Sequence, residues 1–151
     1  MAYVDTLTLT NATSEGLIVA NSTYVPEASA RILHVLEGGV ANDVTVGSAG
    51  VFYVSNGGVI QGGVAPIGSC VASRGGTVSN FNIEGTARAL VYSGAVWSGG
   101  VISGTGENDN YDANGGGIMR GVTLKAGTLV GARFAGNLAD TIRVDLHLSL
   151  R

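Results

Sequence analysis

Pairs of adjacent glycines recur along the middle of this chain, each lying between β-branched or small residues. The clearest copies read V-L-E-G-G-V, V-S-N-G-G-V and V-W-S-G-G-V, at residues 35–40, 54–59 and 96–101. Looser copies are A-S-R-G-G-T at residues 72–77 and D-A-N-G-G-G at residues 112–117. The spacing indicates an imperfect repeat of about 20 residues, with a longer step between the third and fourth pairs. The candidate corner residues are Gly38, Gly39, Gly57, Gly58, Gly75, Gly76, Gly99, Gly100, Gly115 and Gly116.

Short runs typical of β-strands lie between these glycines, such as V-T-V at residues 44–46 and V-F-Y-V at residues 51–54. Glycine adopts the positive φ angles with which a chain turns within one or two residues. A unit this small cannot bury its own apolar face, but stacked units can, with each backbone paired to the units above and below. The pattern therefore predicts an all-β solenoid. A sandwich or closed barrel is the alternative, because short strands with turn signals also describe those folds.

Composition excludes several other classes of protein. Of 151 residues, 25 are glycine, only 2 are proline, and 45% are hydrophobic. Disordered chains are poorer in apolar residues, and collagen needs glycine at every third position. The charge of −3 and scattered arginines predict no nucleic-acid partner. No apolar run approaches the ~18 residues of a membrane span, so we expect no membrane insertion.

The V-x-x-G-G-V units, interleaved with V-x-x-G-x-x and S-x-G-G-T elements over residues 32–133, resemble the AIDA-like repeats of bacterial autotransporter adhesin passengers. The resemblance implies a right-handed single-stranded β-helix that is displayed outside the cell and has an adhesive or self-associating role. The predicted fold class is therefore an all-β, right-handed β-solenoid with glycine-pair corners and non-repeat terminal strands.

The two ends of the chain do not carry the glycine repeat. We expect an N-terminal set of strands or cap at residues 1–34, solenoid repeats at 35–136 and an amphipathic strand at 137–151. In the last segment, alternate residues from 142 to 150 are aliphatic, which is typical of a strand with one apolar face. That face can pack on its own last coil, on a symmetry mate or on the first coil of a neighbour. Its candidate cap or assembly residues are Ile142, Val144, Leu146, Leu148 and Leu150.

Two aromatic residues are candidates for surface contact. Phe52 and Tyr53 are adjacent, so in a strand one of them must point outward. Trp97 is expected to point outward too, because the inside of a narrow solenoid is crowded. Exposed tyrosine and tryptophan are typical of contact surfaces. Tyr53 and Trp97 therefore make a surface glycan or a cell-surface protein a candidate partner.

Chemistry-bearing residues give no catalytic pattern. Neither His34 nor His147 lies in a Ser or Cys constellation of the catalytic kind, and Asp43 and Glu84 stand alone. The polar segment at residues 104–117 carries oxygen ligands but departs from known calcium loops, so we expect a solvated loop. The sequence predicts no enzyme activity, no cofactor and no metal site.

The function expected from these features is that of a structural or adhesive module that associates with copies of itself, as a closed oligomer or an end-to-end filament. We expect it at the bacterial surface or outside the cell. A β-helix component of a phage virion is the alternative, and a carbohydrate-active β-helix is a weaker one.

Overall fold

In the computed structural model, which describes residues 3–103, 111–114, 118–125 and 144–147, the chain is an all-β parallel solenoid. No helix occurs within these ranges. The handedness implied by the family resemblance stays a prediction. The strands are β1 (Val4–Leu9), β2 (Thr13–Glu15), β3 (Ile18–Val19), β4 (Ala30–Val35), β5 (Val40–Val46), β6 (Val51–Val54), β7 (Val59–Ala65), β8 (Ser69–Ala72), β9 (Thr77–Ile83), β10 (Arg88–Tyr92), β11 (Val96–Ser98), β12 (Val101–Ile102), β13 (Tyr111–Asn114), β14 (Ile118–Arg120), β15 (Val122–Lys125) and β16 (Val144–His147).

The register of the strands gives the length of a turn. Ile32 pairs with Val51, Val51 with Ser69, and Ser69 with Arg88, so successive turns advance the residue number by nearly the same amount. The first step is longer, since Val4 pairs with Ala30. All the pairings between described strands are parallel, and together they form one 16-stranded sheet. The repeat predicted from the glycine pairs is therefore the length of a solenoid turn.

Each circuit of the chain, which we call a level, has three sides. The best-described levels are β1–β3, β4–β5, β6–β7, β8–β9 and β10–β12. The first side is formed by β1, β4, β6, β8, β10 and β13. The second contains β2, β11, β14 and the first halves of β5, β7 and β9; the third contains β3, β12, β15, β16 and the second halves of those three strands.

The core is a column of side chains that point inward from all three sides. Alternation along each strand sends every second residue inside, as in β9, where Val78, Phe81 and Ile83 are fully buried. The inward positions Val78 and Phe81 are separated by two residues rather than one, because the strand bends at Asn80, which has a φ of 53°. The bend turns the chain from the second side to the third.

Two further segments contain paired strands. Within residues 1–34, β1–β3 form a level that pairs with β4 and β5, and the position between residues 34 and 35 lies inside β4. The segment at residues 104–117, expected to be a solvated loop, contains β13, which pairs with β10. The step from Ala89 to its partner Tyr111 is longer than the preceding step from Cys70 to Ala89, so extra residues are accommodated there.

Candidate functional site

The predicted corner glycines between the first and second sides are where the repeat placed them. Gly38, Gly57 and Gly75 have φ angles of 71°, 93° and 82°, which favour glycine. The second glycine of each pair has a different constraint, because a Cβ there would overlap a carbonyl oxygen of the preceding level. This holds for Gly39 on Leu9, Gly58 on Val35 and Gly76 on Val54. Gly115 and Gly116 lie outside the described residues.

The pair Gly99–Gly100 lies at a different corner from the other pairs. The residue aligned with Gly75 in the next level is Gly94, whose carbonyl oxygen accepts a hydrogen bond from the Gly75 amide at 2.9 Å. Gly99 and Gly100 come after β11, between the second and third sides. The long step from Gly75 to Gly99 in the glycine repeat therefore joins two different corners. The turn itself has its ordinary length, since Thr77 pairs with Val96.

This second corner is a column of residues with left-handed backbone, which the sequence analysis missed. The register aligns six such residues, and all have φ between 53° and 75°. Asp and Asn are the non-glycine residues that adopt this conformation most readily. A Cβ on Gly62 would lie 2.8 Å from Asp43 Oδ1, and one on Gly99 would overlap Asn80 Oδ1. A residue with a Cβ at either glycine would have to displace the Asx side chain of the preceding level and also adopt a left-handed φ. The column reads Gly16, Asp43, Gly62, Asn80, Gly99 and Gly121.

The outward orientation expected for Trp97 is wrong. Its side chain is fully buried and packs with Phe52 and Phe81, at ring-centroid distances of 6.4 and 5.8 Å. Space for the indole exists because inward positions on the first side at nearby levels are small: Cys70 and Ala89, both fully buried. The inside of the solenoid is narrow, but small residues on one side make room for a large residue on another.

Tyr53 is exposed, as expected, and it stands in an ordered row on the outer face of the first side. Its ring stacks on His34 with a centroid distance of 5.1 Å and an interplanar angle of 15°. The register continues the row from Tyr53 to Val71 and then to Leu90. Tyr53 is 38% exposed, while Val71 is only 8% exposed.

A shallow open groove of about 620 Å³ lies beside this row. We call it the tyrosine groove. Each described residue that lines it is uncharged. The side chains that contribute aromatic, aliphatic or hydroxyl groups include Tyr53, Val71, Leu90, Tyr92, Ser69 and Ser73. Sequence reasoning found Tyr53 but missed Tyr92, whose place on the same face follows only from the register of β10 on β8.

The charged and reactive groups of the described ranges include a surface ion pair and a buried thiol. An ion pair joins Arg31 Nε to Asp5 Oδ1 at 2.9 Å across β1 and β4, and this hydrogen bond holds the pKa of Asp5 below its usual value. Burial raises the pKa of the Cys70 thiol well above its usual value, so the thiolate nucleophile is disfavoured. Within the same ranges, no group of three His, Cys, Asp or Glu residues is close enough to hold a metal ion, and no helix could cross a membrane.

The first level has an unpaired outer edge. Among the described residues, β1 pairs only with β4, and β2 pairs only with β5. The opposite edge of each strand carries peptide N–H and C=O groups with no neighbouring strand in that part of the chain. Edges of this kind template the addition of a further strand.

The described part of the C-terminal segment pairs with its own chain. Val144–His147 forms β16, which lies parallel to β15, with Val122 opposite Val144. Of the three expected packing arrangements, this backbone pairing belongs to packing on the chain's own last coil. Ile142, Leu148 and Leu150 lie outside the described residues.

No family model, curated protein or solved structure matches this chain.

Proposed function

We propose that this protein is a non-enzymatic structural and adhesive solenoid module that assembles with copies of itself, end to end. The observation that carries the proposal is the outer edge of the first level, where β1 and β2 lack partners among the described strands. In a monomer, no other described strand pairs with these peptide groups. An added level would place them in the same hydrogen-bonded ladder that joins the other described levels.

The geometry of that edge favours a second copy of this chain as the partner. All the described strand pairs are parallel and the corners are aligned from level to level. A single added peptide would cover only one side, whereas a terminal level of another solenoid presents three sides at matching corners. Such a contact joins two different surfaces, so it produces a filament or a closed ring.

The location that we propose for the module is based on the sequence. Because the V-x-x-G-G-V units resemble AIDA-like repeats, the proposal places the module on or outside the bacterial cell. Stiff solenoids that display their sides and join at their ends are suited to adhesion, because each added copy presents the same outer surfaces again.

The experiment alters one peptide group at the open edge. Val4 N–H donates to Ser29 O at 3.1 Å, and successive amides along a strand point in opposite directions, so the Asp5 amide points to the outer edge. Asp5→Pro removes that donor and places a ring at the edge without removing a backbone hydrogen bond to β4. Asp5→Ala is the matched control, since it also removes the Arg31 ion pair but keeps the amide.

Light scattering over a concentration series and negative-stain microscopy measure assembly. We expect the wild-type protein to form multimers. Asp5→Pro should raise their dissociation constant at least roughly tenfold, because the hydrogen bond from the Asp5 amide to the second copy and the steric fit are lost together. Asp5→Ala should assemble like wild type. A wild-type protein that is monomeric at every concentration, or equal assembly by both variants, contradicts the proposal.

A further inference from the structure

The row of side chains on the outer face of the first side contains a stack that is interrupted. His34 and Tyr53 lie nearly parallel at 5.1 Å, close to the ~4.8 Å that separates neighbouring strands. The next residue in the row is Val71, whose branched side chain is much smaller than a ring. Where a third ring would continue the stack, the structure has part of the tyrosine groove.

The tyrosine groove is lined by uncharged groups of several kinds. One face of the Tyr53 ring is covered by His34, which leaves the other face on the side of the groove. Two levels from Tyr53 the groove is lined by Leu90 and Tyr92, and Tyr92 is 37% exposed. The side chains of Ser69 and Ser73 add hydroxyl groups. The groove therefore offers an aromatic face, apolar surface and uncharged hydrogen-bonding groups together.

We propose that the tyrosine groove binds an uncharged carbohydrate chain, with one sugar ring stacked on Tyr53 in the position that a third ring would occupy. The C–H groups on one face of a sugar ring carry partial positive charge and pack on the electron-rich face of tyrosine. Sugar hydroxyls at the ring edge match the serine hydroxyls nearby. The absence of charge among the described lining residues favours a neutral glycan over an acidic one.

The backbone around the groove is suited to binding with little rearrangement. Its lining strands β6, β8 and β10 are hydrogen-bonded to each other in consecutive levels. A ligand then orders few groups of the protein, which lowers the entropic cost of binding. The groove lies on a side of the solenoid and self-association uses its ends, so this proposal stands independently of the assembly.

Two variants of the full chain test the site from opposite directions. Tyr53→Ala removes the stacking face, and Val71→Tyr fills the open position with a ring of the protein's own. Tyr24→Ala is the matched control, because Tyr24 is 69% exposed and lies outside the groove. Emission from Trp97, the single tryptophan, reports whether each variant keeps its core.

The probes are four neutral hexasaccharides, of glucose in β-1,4 and α-1,4 linkage, of β-1,4-mannose and of β-1,4-N-acetylglucosamine, with hexagalacturonate as the acidic counterpart. Saturation-transfer NMR and calorimetry measure binding. We expect at least one neutral probe to bind, at least tenfold more weakly to Tyr53→Ala and to Val71→Tyr, and unchanged to Tyr24→Ala.

Three results would overturn the proposal. The first is binding of none of the neutral probes, and the second is tighter binding of hexagalacturonate than of any of them. The third is a change in oligomeric state in Val71→Tyr with sugar binding unaffected, which would assign the groove to contact between copies. Loss of assembly in Asp5→Pro with sugar binding intact would confirm that the two sites are separate.

Discussion

At three of the described corners between the first and second sides, two neighbouring glycines meet different requirements. Gly57 has a φ of 93°, and a Cβ there would make only ordinary van der Waals contact, with its nearest neighbour 3.8 Å away. Gly58 has no left-handed φ, but its Cβ would overlap the Val35 carbonyl oxygen. The level formed by β10–β12 has Ala95 at the position of Gly58, and it is fully buried. The second glycine is therefore required where the backbones of two levels approach closely. The distance between the backbones differs from level to level, so alanine is accommodated at residue 95.

Alanine substitutions separate these two requirements. Gly57→Ala should lower the free energy of unfolding by about 1 kcal/mol, the cost of a left-handed non-glycine residue. Gly58→Ala should cost about 3 kcal/mol, because the backbones of two levels must move apart. Urea denaturation followed by Trp97 emission measures both, with Ala95→Gly as the control for the same position. Equal losses at Gly57 and Gly58 would show that backbone conformation alone explains the pair.

The core aromatic cluster gives a second prediction for single residues. Among the described residues, Trp97 Nε1 is a buried donor without a hydrogen-bond acceptor. Trp97→Ala should cost about 4 kcal/mol through the cavity that it leaves. Trp97→Phe should cost less than half as much, since it keeps most of the packing and removes an unpaired donor. Denaturation is followed by circular dichroism, and equal costs for the two variants would show that the indole nitrogen has a partner.

At the scale of strands and turns, the sequence predicted the period but not the alignment of every copy. Glycine pairs indicated the right turn length because a tight corner leaves a local signal. Gly99–Gly100 was aligned with the wrong corner, since glycine serves at both corners and the distinguishing strand pairs are remote in sequence. The inward position of Trp97 and the place of Tyr92 in the groove were missed for the same reason: both depend on residues one or more turns away.

The whole molecule is a stack in which each level contacts its neighbours and little else. Pairings join adjacent levels along all three sides, from β1 on β4 to β15 on β16. Stability in such an architecture is close to a sum of level and interface contributions. Inner levels have two interfaces, while the first level has one among the described residues, so the ends should open more easily than the middle.

Hydrogen exchange followed by mass spectrometry tests this expectation. Amides of β7 and β9 should exchange at least roughly tenfold more slowly than those of β1 and β2, because they open only with their neighbours. The comparison is made at a concentration where the protein is monomeric, so that assembly does not protect the first level. Uniform protection from β1 to β9 would indicate a single cooperative unit.

The constant register has a consequence for how such a chain can change in length. Tandem copying of a gene segment that encodes one turn, such as the one that joins Val59 to its partner Thr77, would add one storey of about 4.8 Å and leave the storeys above and below intact. Insertion of a single residue within a strand would instead send every following inward side chain of that strand to the surface. The longer step between β10 and β13 shows where extra residues are accommodated, since the strands on both sides of it still pair. Adding whole turns therefore lengthens the molecule with the least disruption of its strand pairing, whereas changes of loop length are restricted to the corners.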